Sequence, residues 1–245
     1  QERERKSREA RAIAFDIRTQ DFTWIKKYRA ALKPAKTASQ KLSRAVELKK
    51  LYGQFDAKAT EVARLITLEI NLPPAQRTLK PISVPGLAGG EKFLIDGILF
   101  KFARDWRGLY GGDEFSAKAA GHELRGVSAI MSMEQSCLNA PMMTIVEVGG
   151  YRVVALSLLP IDSSTIVCGS EDGGRTVISK STEIQQITRT LAAELNLKEH
   201  SCSGVRVFVP GDMEFHVGFD GFKYVVDTAR LFPPEATTKS ALLVP

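Results

Sequence analysis

A chain of 245 residues with 44% hydrophobic, 25% charged and 8% aromatic residues has an average globular composition, which excludes a disordered tail, a collagen-like rod and a disulfide scaffold. Its length makes one large domain, or one domain plus an appendage, the natural count, with core enough to need no metal or staple. The net charge of +6 is concentrated: residues 1–60 hold sixteen Lys and Arg against seven Asp and Glu, a local +9, which leaves −3 on residues 61–245. Such asymmetry marks contact with nucleic acid, an acidic protein or an anionic surface, although a solvated helix face is the commoner cause.

The chain opens on Gln1 and a charged helical pattern without the apolar stretch of a signal peptide, which predicts a piece of a longer protein. Glu2, Glu4 and Glu9 argue against a mitochondrial transit peptide, because such peptides are poor in acids. The spacing of Ile13, Ile17, Trp24, Ile25, Tyr28 and Leu32 predicts a first helix interrupted at Pro34. A second helix is predicted over residues 38–52, with Leu42, Val46 and Leu51 as its stripe and Gly53 as its C-terminal cap. A third run with Val62, Leu65, Ile66 and Ile70 ends at Pro73-Pro74. Residues 1–75 thus form a basic helical extension whose apolar stripes need a partner, and the Pro- and Gly-rich residues 76–90 look like a linker or domain edge.

The main body, residues 91–235, changes grammar. Residues 92–102 predict a hairpin around Asp96-Gly97, and residues 142–148 and 151–158 predict another around Gly149-Gly150, its second strand stopped at Pro160. Between them, residues 113–131 read as a helix with Phe115, Ala119, His122 and Gly126 on one side, launched from Gly111-Gly112 and carrying Asp113 and Glu114 at its positive end. Two strands, 165–168 and 175–178, flank the glycine-rich 169–174. Thr182 is read as the cap of a helix to about Leu197 with Ile184, Ile187, Leu191 and Leu195 buried, and a final hairpin turns at Asp220-Gly221 before a short tail, residues 236–245. The expectation is an α+β fold of antiparallel hairpins packed with helices, preceded by an α-helical N-terminal extension. The longest apolar runs are broken well short of the ~20 residues a membrane helix needs. Cys137, Cys168 and Cys202 show neither CxxC spacing nor a metal pattern, which favours a reducing compartment.

Four separated stretches occur in the order found in one family: GLYGGDEFSAKAAGHELRG at residues 108–126, GYRVVALSLLP at 150–160, VCGSEDGGRT at 167–176 and GFDGFKYVVDTARLFPPE at 218–235. On these the chain resembles the Clu domain of the clustered mitochondria protein family, over roughly residues 90–235. Two departures stand out: Asp227-Thr228-Ala229-Arg230 replaces an aromatic or leucine after the Asp, and Cys168 stands where a Tyr is usual. The resemblance implies a non-catalytic binding or scaffold module without cofactor or metal, in the cytoplasm near mitochondria, linked to mitochondrial distribution or to messenger RNAs for mitochondrial proteins. Its motif residues in this chain are Gly111, Gly112, Asp113, Lys118, His122, Glu123, Gly169, Asp220, Gly221, Asp227, Arg230, Pro233 and Pro234.

The partner is expected to be RNA or a protein assembly, met also by missing regions of a parent chain. For RNA, Arg104, Trp106, Arg107, Tyr110 and Arg125 interleave rings with guanidinium groups, and Lys26, Lys27, Arg29 and Lys33 are the nearest basic cluster. One rival is a kinase-like nucleotide-binding protein or pseudokinase, in which Lys118 holds phosphates and Asp227 the magnesium, with His216 and the loop acid Asp220 before it. Its plainer counterpart assigns Asp220 to the turn and Asp227 to a cap or to Arg230. A second rival docks the N-terminal helices on a large assembly. His122 and Glu123 invite an acid–base reading but fit a packed helix better, and residues 169–174 lack the Lys-Ser/Thr ending of a phosphate-binding loop.

Overall fold

A computed structural model describes residues 15–32, 34–83, 89–133 and 137–233. Ile13, Lys33, Pro234 and the tail 236–245 lie outside the described residues. The helices are α1 (Thr23–Ala31), α2 (Ala38–Glu69), α3 (Asp113–Ser132) and α4 (Thr182–Glu194). The strands are β1 (Lys92–Ile95), β2 (Ile98–Phe102), β3 (Leu138–Asn139), β4 (Met143–Val148), β5 (Tyr151–Ser157) and β6 (Ile166–Gly169). They continue with β7 (Ile178–Ser179), β8 (His200–Cys202), β9 (Val205–Val207), β10 (Glu214–Val217) and β11 (Lys223–Val226). The fold is α+β, and it divides into two compact units, Gln1–Arg107 with Met142–Leu158 and Gly108–Pro141 with Leu159–Pro245.

In the first unit an antiparallel sheet runs in the order β1-β2-β5-β4. Both predicted hairpins are present: Ile95 faces Ile98 across Asp96-Gly97, and Val148 faces Tyr151 across Gly149-Gly150. Asp96 and Gly97 have φ of 51° and 72°, the left-handed pair that matches the twist of the flanking strands. Helix α2 lies against β4 and β5, burying Leu51, Phe55, Ala59, Val62, Ala63 and Ile66. Helix α1 packs beside it, with Trp24 edge-on to Phe55 at 5.2 Å and Tyr28 edge-on to Tyr52 at 6.2 Å between ring centres.

Two sequence expectations are corrected here. The first helix does not run through from Ile17: a 3-10 turn, Ile17–Thr19, comes first, and α1 starts only at Thr23. The reason is local, since Asp16 accepts the Arg18 N–H at 2.9 Å and Asp21 accepts the Thr23 N–H at 3.0 Å, each offering the backbone a cap instead of another helical turn. The second and third helices are one 32-residue helix that passes through Gly53. Glycine in a helix interior costs only about 1 kcal/mol, which packing of the following turns outweighs. Helix α2 begins in a full capping box of Thr37 and Gln40. After its end, Arg77 donates to the Ile70 and Leu72 carbonyls and pairs with Glu91 at 3.0 Å.

The second unit holds a five-stranded sheet in the order β3-β11-β10-β6-β7, antiparallel except for the β3–β11 pair, and a separate β8–β9 hairpin that the sequence reading missed. Helix α3 spans the predicted stretch and buries Phe115, Ala119, His122 and Gly126 as expected. Helix α4 is capped by the Ser181 hydroxyl, one residue before the predicted cap, and ends at Glu194, because Leu195 and Asn196 leave helical geometry.

Two predictions concern the first unit. A Cβ on Gly53 would meet nothing within 4 Å, so Gly53→Ala should stabilise the protein by about 0.5–1 kcal/mol, seen as a higher denaturation midpoint. Burial pushes the Tyr28 phenol from 10.0 up to about 12 against a smaller opposing pull from Arg44, and burial raises Tyr52 as well. The folded values lie above the unfolded ones, so this contribution to stability is whole below pH 10.0 and lost as pH rises through about 12. Tyrosinate absorbance should lag behind that of free tyrosine and rise together with loss of helical ellipticity; ionisation at the free-tyrosine value with the helices intact would contradict this.

Candidate functional site

The basic and aromatic candidates of the first unit fall into two groups. On α1, Lys26 and Lys27 are exposed and Arg29 is half-buried; the Lys26 ammonium lies 6.0 Å from the Phe22 ring centre and that of Lys27 lies 5.3 Å from Trp24. Beyond β2, the exposed Arg104 guanidinium lies 5.0 Å from the Trp106 ring centre and 5.8 Å from that of Tyr151, and Phe102 meets Tyr151 edge-on at 5.3 Å. Arg107 follows, exposed, in the same turn. Sequence reasoning found Arg104 and Trp106 but missed Tyr151, which reaches them only through the pairing of β5 with β2. The two groups are not one cluster: Trp24 donates its indole N–H to the Asp96 carbonyl at one end of β2, and Arg104 lies past the other end, about 17 Å away by strand rise.

Tyr110 and Arg125 belong to the second unit, where the exposed Arg125 guanidinium lies 4.6 Å from the Phe232 ring centre. Lys118 is exposed on α3, Gly111 and Gly112 precede that helix with φ of 86° and 143°, and Asp113 begins it. The kinase-like pair of acids does not assemble. Asp220 precedes β11 and Asp227 follows it, so about 13 Å of strand separates the two. Asp220 instead accepts the Tyr224 hydroxyl at 2.8 Å and the Phe222 N–H at 3.3 Å across the turn at Gly221, locking the final hairpin.

The remaining polar motif residues are engaged in holding the fold. Thr228, fully buried, donates its N–H to the Glu123 carboxylate at 3.1 Å and its hydroxyl to the Glu123 carbonyl at 3.0 Å. Arg230 pairs with Asp212 at 2.6 Å and donates to the Gly173 carbonyl, and Pro233 is exposed after it. In the glycine-rich connection the Ser170 hydroxyl accepts the Asp172 and Gly174 N–H groups, and Asp172 accepts that of Thr176 at 2.8 Å. Three N–H donors of this connection are thus already used, and the Ser170 hydroxyl with the Thr176 N–H holds the Asp172 carboxyl down at about 2. Gly169 leaves no room for a side chain, since a Cβ there would lie 1.9 Å from the Met213 carbonyl oxygen.

His216 is buried, with Nδ1 sharing a hydrogen bond with the Thr165 hydroxyl at 2.9 Å and Nε2 lying 3.2 Å from the Glu214 carboxylate. These are the residue types of a nucleophilic triad. The Thr165 hydroxyl, however, donates to the Asp162 carbonyl at 2.7 Å and accepts the Asp162 N–H at 3.0 Å, which commits it to a capping box. Among the described residues no group of three or more His, Cys, Asp or Glu side chains can hold a metal ion, and no helix is long and apolar enough to cross a membrane.

A family model for clustered mitochondria proteins matches residues 23–237. The chain belongs to the clustered mitochondria family. It is similar to a clustered mitochondria protein homolog of Caenorhabditis briggsae, at 31% identity over 159 residues, covering 58% of this chain and 12% of that one. Similarity to a clustered mitochondria protein homolog of Danio rerio is 26% over 217 residues, and to protein clueless of Drosophila mojavensis 27% over 215 residues; each covers 82% of this chain, and 15% and 14% of the relative. The chain therefore spans 12–15% of the length of these relatives. No solved structure matches. The family match takes in α1 and the whole of the sheet-packed helix α2, further toward the N-terminus than the four stretches that carried the resemblance.

Two glycines of one family stretch separate packing from propensity. A Cβ on Gly126 would lie 2.5 Å from the Thr228 carbonyl oxygen, whereas one on Gly121, in the same helix, would meet nothing within 4 Å. Gly126→Ala should destabilise by about 1–3 kcal/mol through overpacking, and Gly121→Ala should be neutral or stabilising. Equal denaturation midpoints for the two variants would refute the close approach of α3 to Thr228.

Proposed function

We propose that this part of a clustered mitochondria protein acts by binding rather than by catalysis, and that its ligand is single-stranded RNA. The observation that carries the reading is the exposed Arg104 guanidinium near both the Trp106 and the Tyr151 rings, the chemistry that grips a phosphate and an unstacked base together. The local +9 of residues 1–60 supplies a second, less specific attraction through Lys26, Lys27 and Arg29. Resemblance to the family adds the ligand class, messenger RNAs for mitochondrial proteins, and the setting, the cytoplasm near mitochondria, with mitochondrial distribution as the process served. Tyr110 and Arg125 are further candidates on the second unit.

Labelled single-stranded RNA titrated across a salt series tests this. Trp106→Ala should cost about 1–3 kcal/mol of binding free energy by loss of one stacked base. The triple variant Lys26→Ala, Lys27→Ala, Arg29→Ala should make the salt dependence shallower by about one unit for each phosphate no longer neutralised. Unchanged affinity and slope in both variants would remove these residues from the interface. A magnesium-dependent thermal shift with ATP and no bound RNA would favour the phosphotransferase reading instead.

A further inference from the structure

Helix α2 is two helices in physical terms. Its first buried residue is Leu51; before it, from Ala38 to Lys50, every residue is exposed or half-exposed. This arm is nevertheless well made, since Thr37 and Gln40 cap its start reciprocally. Leu42 is 67% exposed and Val46 61% exposed, and four-residue spacing puts them side by side on one face of the helix. Lys49 and Lys50 lie one turn further along that face, both exposed, while Arg44 is on the other side, where its charge acts on Tyr28. Over residues 36–50 the arm carries Lys36, Lys41, Arg44, Lys49 and Lys50 against a single acid, Glu47.

We infer that the Leu42–Val46 face of this arm docks an acidic amphipathic helix of a partner protein. Two adjacent aliphatic side chains followed by two lysines match a helix that presents leucines on its seam and glutamates beside them. A second copy of the chain is disfavoured by charge: parallel pairing sets Lys49 and Lys50 against themselves, and antiparallel pairing centred between Leu42 and Val46 sets them opposite Ser39 and Ala38, in a stretch whose only charged residues are Lys36 and Lys41. Nucleic acid has no use for Leu42 and Val46, and a membrane surface needs a broader apolar face than two residues supply. The inference goes beyond the RNA reading, and none of Leu42, Val46, Lys49 and Lys50 is among the residues that reading names.

The test uses the whole chain and, as probe, a labelled three-heptad helical peptide with Leu at a and d and Glu at e and g, followed by fluorescence anisotropy. Leu42→Gln with Val46→Gln removes the apolar contact without changing charge, and Lys49→Glu with Lys50→Glu reverses the charge on an intact seam. Each pair should weaken binding at least about tenfold, and only the wild-type and the Gln pair should lose affinity with added salt. Circular dichroism confirms that both variants keep the helix, since all four side chains are exposed. No binding to wild-type protein, or equal binding to the Gln pair, overturns the inference. So does a Leu42- and Val46-dependent association with phosphatidylserine vesicles or with poly-uridine when the peptide fails to bind, which would reassign the arm to a lipid surface or to RNA.

Discussion

Trp24 joins three elements of the first unit at one point. Its ring meets Phe55 of α2 edge-on, and its indole N–H donates to the Asp96 carbonyl in the β1–β2 turn. Lys58 of α2 closes the same corner by pairing with the Asp96 carboxylate at 3.0 Å. Because Phe55 is fully buried and Asp96 sits in a left-handed turn with little freedom, the corner sets where α2 crosses the sheet. From there the helix runs over β4 and β5 in one direction and leaves the core in the other. The buried half and the projecting arm are consequences of the same anchor.

The second unit depends on a different close approach. Gly126 lets α3 come down on Thr228, and Glu123, one turn earlier, takes both the N–H and the hydroxyl of that residue. The departure from the family pattern after Asp227 falls at this notch, and a small residue with a hydroxyl suits it because both polar groups of a fully buried threonine find partners. The polar residues that looked chemically promising are used in the same way. Asp220 locks a turn, Asp172 and Ser170 close a glycine-rich connection, and Thr165 with His216 satisfies buried hydrogen bonds. Groups committed to such bonds are poor acids, bases or metal ligands, since using them would leave a buried partner unsatisfied.

Two groups of the first unit are accessible. Arg104 near the Trp106 and Tyr151 rings and the Leu42–Val46 arm both belong to the first unit, and they call for different partners because one offers flat faces with a guanidinium and the other a narrow aliphatic seam beside ammonium groups. A chain that spans 12–15% of its relatives' length can carry two such surfaces as parts of a larger assembly.

Local rules settled much from the amino-acid order alone. Asp96-Gly97 and Gly149-Gly150 are turns wherever they occur between apolar strands, because few residues accept a positive φ, and the α3 stripe of Phe115, Ala119, His122 and Gly126 has one geometric reading. The α+β class and the family followed from the same stretches. Tertiary structure decided what local rules leave open. Gly53 reads as a helix end, yet burial of Leu51 and Phe55 on either side carries α2 through it. Tyr151 stands 47 positions from Arg104, and only strand pairing brings them to 5.8 Å. Asp220 and Asp227 look adjacent in sequence but are held apart by the straight strand between them. The physical reason is common to all three: periodicity and turn chemistry act over a few residues, whereas packing and strand register act between residues far apart in the chain.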